Sequence, residues 1–245
     1  MRQAASTRTP RRALDMVDNF DLYRHRVAEL SSGEFYPVIA LKRRKDNPEM
    51  DSNVEILFRK NVYTVADLDA VRERAYVVCA QHKARLYIKV NKRNDQDVAE
   101  AVLKHVLDAV LHKTPHLVRH AYDHCVGVTN SATNKYFLVD VDHARSLDDL
   151  EPVLAELDRL RKLGQSKPYD VLTLKTRSGF HVLAPAFNLQ AFKPDLRKPV
   201  ECTVMKDAET LLFAPAIAIG DAEPRCVAVE GKEDVEEDCA VFDET

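Results

Sequence analysis

The stretch YFLVDVD, residues 136–142, decides how the rest of the chain is read. Side chains alternate across a strand, so Asp140 and Asp142 share a face with Tyr136 and Leu138, while Phe137, Val139 and Val141 take the other. Two carboxylates about 7 Å apart along one strand repel each other unless something positive lies between them. A hard divalent cation, Mg²⁺ or Mn²⁺, is the common solution, because it takes carboxylate oxygens and leaves room for substrate phosphates. The competing reading ends the strand at Asp140 and leaves both acids in a solvated loop or capping the next helix. The wholly apolar run YFLV instead places them at the exit of a buried strand.

A second stretch, KTRSGFHVL (175–183), bears on the first. Lys175, Arg177 and Ser178 are phosphate-binding residue types beside Gly179, which lets backbone N–H groups come close to an anion. His181 opens the following strand and shares a face with Leu183. A lone histidine on a strand is usually a satisfied core residue, but here it accompanies a basic turn and a candidate metal pair.

Outward from these segments, apolar spacing predicts a helix over 13–30 and strands at FYPVIALK and NVEILFRK. Thr64 is read as the cap of a helix carrying Val65, Leu68, Val71, Ala75 and Val78 on one face. A strand RLYIKVN follows, then an amphipathic helix over 95–113, broken at Pro115. After YFLVDVD come a helix from Ser146 to Gly164 and four short strands: YDVLTLKT, FHVLAPA, VECTVM and ETLLFAPAIA. The expected fold is α/β or α+β, with a βαβ-type half packed on a β-α-β-β-β half and the site where the two meet.

Composition narrows the class. The 245 residues are 45% hydrophobic and 31% charged, as in a globular chain with a sizeable core. No apolar run is long enough to span a membrane, and the Arg-rich start has no signal core, so a cytoplasmic protein without membrane contact is expected. The five cysteines (Cys79, Cys125, Cys202, Cys226 and Cys239) form no CxxC and read as reduced thiols. The net charge of −3 combines 36 Lys+Arg with 39 Asp+Glu. The tail 231–245 holds seven of those acids and one lysine, which leaves a slightly basic body. Expected domains are a basic tail (1–12), a single domain (13–230, halves 13–130 and 131–230) and an acidic tail (231–245), both tails disordered. The basic clusters at Arg8, Arg11 and Arg12 and at Lys42 to Lys45 could meet phosphates.

Taken together, FLVDVD, RSGFH and a later acid-bearing strand resemble the archaeo-eukaryotic primase superfamily, which includes the small primase–polymerases. The likeness covers about residues 135–216. It carries the hydrophobic D-x-D motif onto Asp140 and Asp142, and the serine–histidine motif onto Ser178 and His181. For the third acid it offers Glu201 in VECTV, where aspartate is more usual, with Asp207 as fallback. It treats VECTVMKDAETLLFAPA as a hairpin and implies an RRM-like motif-bearing half with a mixed or antiparallel sheet. The implied activity is two-metal nucleotidyl transfer from NTP or dNTP onto nucleic acid. In it, Asp140, Asp142 and Glu201 hold Mg²⁺ or Mn²⁺. His181 and Ser178 grip the nucleotide's phosphates, with added charge from Lys175 and Arg177. Template, primer and nucleotide would be partners, with a helicase or other replication partner possible in trans. The segments ARLYIKVN, TRSGFHVLAPAFN and KDAETLLFAP also resemble bacteriophage proteins of no established activity.

Two alternatives stay open: a metal-dependent nuclease or phosphohydrolase using the same acids, and a non-catalytic nucleic-acid- or nucleotide-binding accessory protein. His112, His116, His120 and His124 recur every four residues, a spacing that can bind zinc on a continuous helix, but Pro115 interrupts the series. NKRND (91–95) reads as a turn with Asp95 capping the next helix, or as a grip on template.

Overall fold

The computed structural model describes residues 15–164, 166 and 170–216; both expected tails, with Cys226 and Cys239, lie outside them. The chain runs β1 (Val17–Asp18), α1 (Phe20–Ala28), β2 (Glu34–Arg43), β3 (Val54–Val62), α2 (Val65–Gln81), β4 (Arg85–Lys89), β5 (Arg93–Asn94) and α3 (Asp95–Leu111). It continues through α4 (Ala121–Val128), β6 (Tyr136–Asp142), α5 (Glu151–Lys162), β7 (Leu172–Lys175), β8 (Gly179–Pro185), β9 (Glu201–Met205) and β10 (Glu209–Ala214).

The strands form two sheets in which every pair of neighbours is antiparallel. The first has the order β1-β10-β4-β2-β3, with β5 beside the start of β2; the second has the order β7-β8-β6-β9. In both, a helix links two strands that run parallel with one strand between them: α2 joins β3 to β4 around β2, and α5 joins β6 to β7 around β8. The expected βαβ crossover is therefore present in split form, within an α+β architecture of antiparallel sheets.

Sequence and structure agree most closely where local signals are strongest. Thr64 caps α2 through a capping box with Asp67, whose carboxylate accepts the Thr64 N–H in return. Gly164 ends α5 at φ +68°, a conformation glycine adopts without strain. Three expectations are corrected. The helix read from 13 begins at Phe20, because Val17 and Asp18 pair with β10. Asn94, not Asp95, caps α3, its side-chain oxygen accepting from the N–H groups of Gln96 and Asp97. Nor are β9 and β10 a hairpin: β9 pairs with β6, while β10 crosses to the first sheet between β1 and β4.

Two hydrophobic clusters follow the alternation of β6 and β8. Leu138, Leu174 and Leu183 join the core beneath α1 and α2 with Phe20, Tyr23, Leu86 and Ile88. Val139, Val141, Val182 and Ala184 pack with Val153, Leu157 and Leu160 of α5. Buried asparagines tie the sheets together. Asn19 donates to the carbonyls of Lys175 and Leu211, and Asn91 donates to Tyr136 O while accepting the Tyr136 N–H. Cys79 and Cys125 are buried free thiols, as expected, and burial pushes Cys79 up to about 12. Among the described residues no helix is long and apolar enough to cross a membrane.

Candidate functional site

The polar end of the second sheet is built by register. On β6, Asp140 stands opposite His181 of β8 on one side and Thr203 of β9 on the other. Two positions further on, Asp142 stands opposite Gly179 and Glu201. Alternation places Asp140 and Asp142 in the row of Leu138, Glu201 and Thr203 in the row of Met205, and His181 in the row of Leu183. All five continue the side that carries Leu138, Leu183 and Met205 to the first core, away from α5. The apolar part of each strand buries its own length, and the polar row begins where that core stops.

His181 is held from two directions. Its Nδ1 shares a 2.8 Å hydrogen bond with the hydroxyl of Thr210, a fully buried residue of β10, and its Nε2 lies 3.4 Å from Asp140 Oδ1. The link to Thr210 crosses from one sheet to the other, so the site lies at their seam. The sequence reading missed Thr210. Its signal was a single hydroxyl inside the apolar run TLLFAPA, a group that needs a partner when buried.

The turn before β8 brings a second side chain to the acids. Ser178 donates to Asp142 Oδ1 at 2.9 Å, and its carbonyl accepts the N–H of His143. Gly179 permits this approach: a Cβ there would lie 2.0 Å from the Val141 carbonyl oxygen. Its place in RSGFH follows from close strand contact, with no need of an unusual backbone angle. Beside the turn is a hollow of about 690 Å³ lined by Lys175, Ser178, Gly179, His143 and Arg145, among others. His143 and Arg145 add to the phosphate-binding residue types expected at Lys175 and Ser178.

Two expected site residues are engaged elsewhere. Arg177 borders the hollow, but its guanidinium is buried, 3.1 Å from Asp46 and donating to Pro215 O. Burial and the neighbouring Arg85 hold its pKa below the usual arginine range. It is therefore a structural tie, not a free phosphate ligand. Asp207, the fallback acid, lies beyond the opposite end of β9, in a 2.7 Å ion pair with the fully buried Arg93, which also donates to the carbonyls of Asn91, Val126 and Gly127. The pair neutralises both groups and removes Asp207 from the acid set. It also removes Arg93 from any grip on template.

Glu201 is exposed at the start of β9, across from Asp142. The three carboxylates suit a hard cation in donor type and in the face they share. They are not drawn together: among the described residues no three His, Cys, Asp or Glu side chains form a group able to hold a metal. That finding covers the histidine series as well. His112 follows α3, His116 and His120 lie in the 3₁₀ turn 115–120, and His124 of α4 stacks on His105 with ring centres 4.8 Å apart. Compared with protein families, curated proteins and solved structures, the chain matches none.

Proposed function

We propose that this chain is a metal-dependent nucleotidyltransferase of primase–polymerase type, adding nucleotides from NTP or dNTP to a nucleic-acid 3′-hydroxyl. One observation carries the reading: Asp140 and Asp142 on a central strand share one face with His181 of the next strand, at the seam of two sheets. The strand order of the second sheet, in which β6, α5, β7, β8 and β9 form an RRM-like arrangement lacking its second helix, supports the same reading.

Asp140, Asp142 and Glu201 are the residues that would hold Mg²⁺ or Mn²⁺, drawn closer than they stand here. When bound, the ion supplies charge neutralisation at the triphosphate and activation of the attacking hydroxyl. The chain's own contribution is positioning. Lys175 and Ser178 meet phosphate oxygens, whereas the Gly179 N–H, expected to face an anion, is already given to the Thr176 hydroxyl; His181, fixed by Thr210, presents a ring nitrogen beside Asp140.

A second reading, nucleotide or nucleic-acid binding without catalysis, is favoured by the acids' present partners. Asp140 faces His181, Asp142 accepts from Ser178, and among the described residues no three-ligand group stands ready. Extension of a labelled primer with Mn²⁺ and dNTP separates the two. Catalysis requires lengthening by the natural chain and loss of several kcal/mol of transition-state stabilisation, hence of detectable product, in Asp140→Ala with the fold retained. No extension by the natural chain leaves the binding reading; shortening of the primer points to a nuclease.

A further inference from the structure

The end of β2 and the loop after it carry four consecutive cations, Lys42 to Lys45, and the turn is fixed. The Arg43 carbonyl accepts from the N–H groups of Asp46 and Asn47 and from the side-chain amide of Asn47, which also donates to Lys83 O. This pinned turn leaves Arg44 and Lys45 exposed at its tip. The side chain of Asp46, next to Lys45, is buried. It takes two hydrogen bonds of 2.7 Å from Arg85 and one of 3.1 Å from Arg177, the residue that borders the hollow at Lys175 and Ser178.

The charges around this anchor do not balance. Arg43, Arg85 and Arg177 surround one carboxylate and the Tyr87 hydroxyl, to which Arg43 donates at 3.0 Å. The Arg177 Nε is buried with no hydrogen-bond partner among the described residues. The nearby Glu49 faces Lys42 at 3.7 Å, which leaves Arg44 and Lys45 without an ion-pair partner among the described residues. A cation excess held in place by buried contacts costs free energy through self-repulsion unless an anion meets it.

We propose that the Arg44–Lys45 turn binds the phosphate backbone of a single-stranded nucleic acid, on a basic rim that Asp46 and Arg177 lock to the hollow at Lys175. Arg177 links the turn to the hollow that Lys175 and Arg145 line, and cations drawn from several segments suit a chain of phosphates better than one free nucleotide. The inference concerns binding alone and does not rest on catalysis at Asp140.

The test is fluorescence anisotropy of a labelled oligo-dT with the full chain across a range of salt, for the natural sequence, the double variant Arg44→Ala/Lys45→Ala, and Lys104→Ala on α3 as a distant control. Losing two phosphate contacts should lower the slope of log affinity against log salt by about 1.4 and weaken binding roughly tenfold near 0.1 M salt. The control should match the natural chain. An unchanged slope in the double variant, or equal loss in the control, overturns the proposal. So does competition by free dNTP as effective, per phosphate, as competition by unlabelled oligo-dT. The two readings fail separately: a lowered slope without primer extension by any metal keeps this inference and sinks the enzymatic one. Extension with an unchanged slope does the reverse.

Discussion

Thr210 decides how His181 is used. Without its hydroxyl, Nδ1 would face an apolar strand and the ring could turn away from Asp140. Thr210→Val keeps the shape and leaves the His181 Nδ1 unsatisfied, so stability should fall by about 1–3 kcal/mol. If His181 acts in the reaction, kcat should fall about tenfold, equivalent to roughly 1.4 kcal/mol, with KM for the nucleotide within twofold. Steady-state extension kinetics would measure both, and an unchanged kcat would show that the bond only fills space. Asp207 offers the converse test. As the partner of buried Arg93 it is structural, so Asp207→Asn should lower the melting temperature yet retain primer extension. Loss of extension with an unchanged melting temperature would restore it as the third acid. At this scale the shared face of Asp140 and Asp142 was legible because alternation along one strand is local, and Ser178 and His181 do come to those acids. Arg177 and Asp207 were misread because their partners, Asp46 and Arg93, lie more than a hundred residues away in the chain.

Elements were legible where one helix or strand carries its own signal, such as the Thr64 capping box and the alternation of β6 and β8. They were not where pairing decided the outcome. Val17 and Asp18 continue an apolar helical pattern but are taken up by β10, and the turn at Lys206–Ala208 sends the chain between sheets with no sequence mark of the change. The helix α5 gives a testable case of local electrostatics. Glu156 accepts two hydrogen bonds from Arg159 and the backbone N–H of Lys193, tying the segment before β9 to the helix. The Arg159 hydrogen bond, helped by Lys193, lowers its pKa from 4.5 to about 2. A lowered folded-state pKa contributes stability above pH 4.5 that is lost as pH falls from about 4.5 toward 2. Urea midpoints for Glu156→Gln should therefore lie below those of the natural chain at neutral pH and converge with them near pH 2. A constant gap across that range would contradict the pairing.

Across the whole molecule, the site exists because two sheets meet. The second sheet supplies the acids and His181, the first supplies Thr210, and Asn19 and Asn91 hold the two in register through buried hydrogen bonds. That the two halves would share a core was readable from the order of elements; that β10 belongs to the first sheet was not. The central claim is that Asp140 and Asp142 receive a divalent cation together with a nucleotide. Calorimetric titration of Mn²⁺ with and without dNTP, for the natural chain and for Asp140→Asn, tests it most directly. Mn²⁺ should bind the natural chain, bind more tightly when dNTP is present, and fail to bind Asp140→Asn. Equal Mn²⁺ binding by both proteins, or none by either with dNTP present, would contradict it.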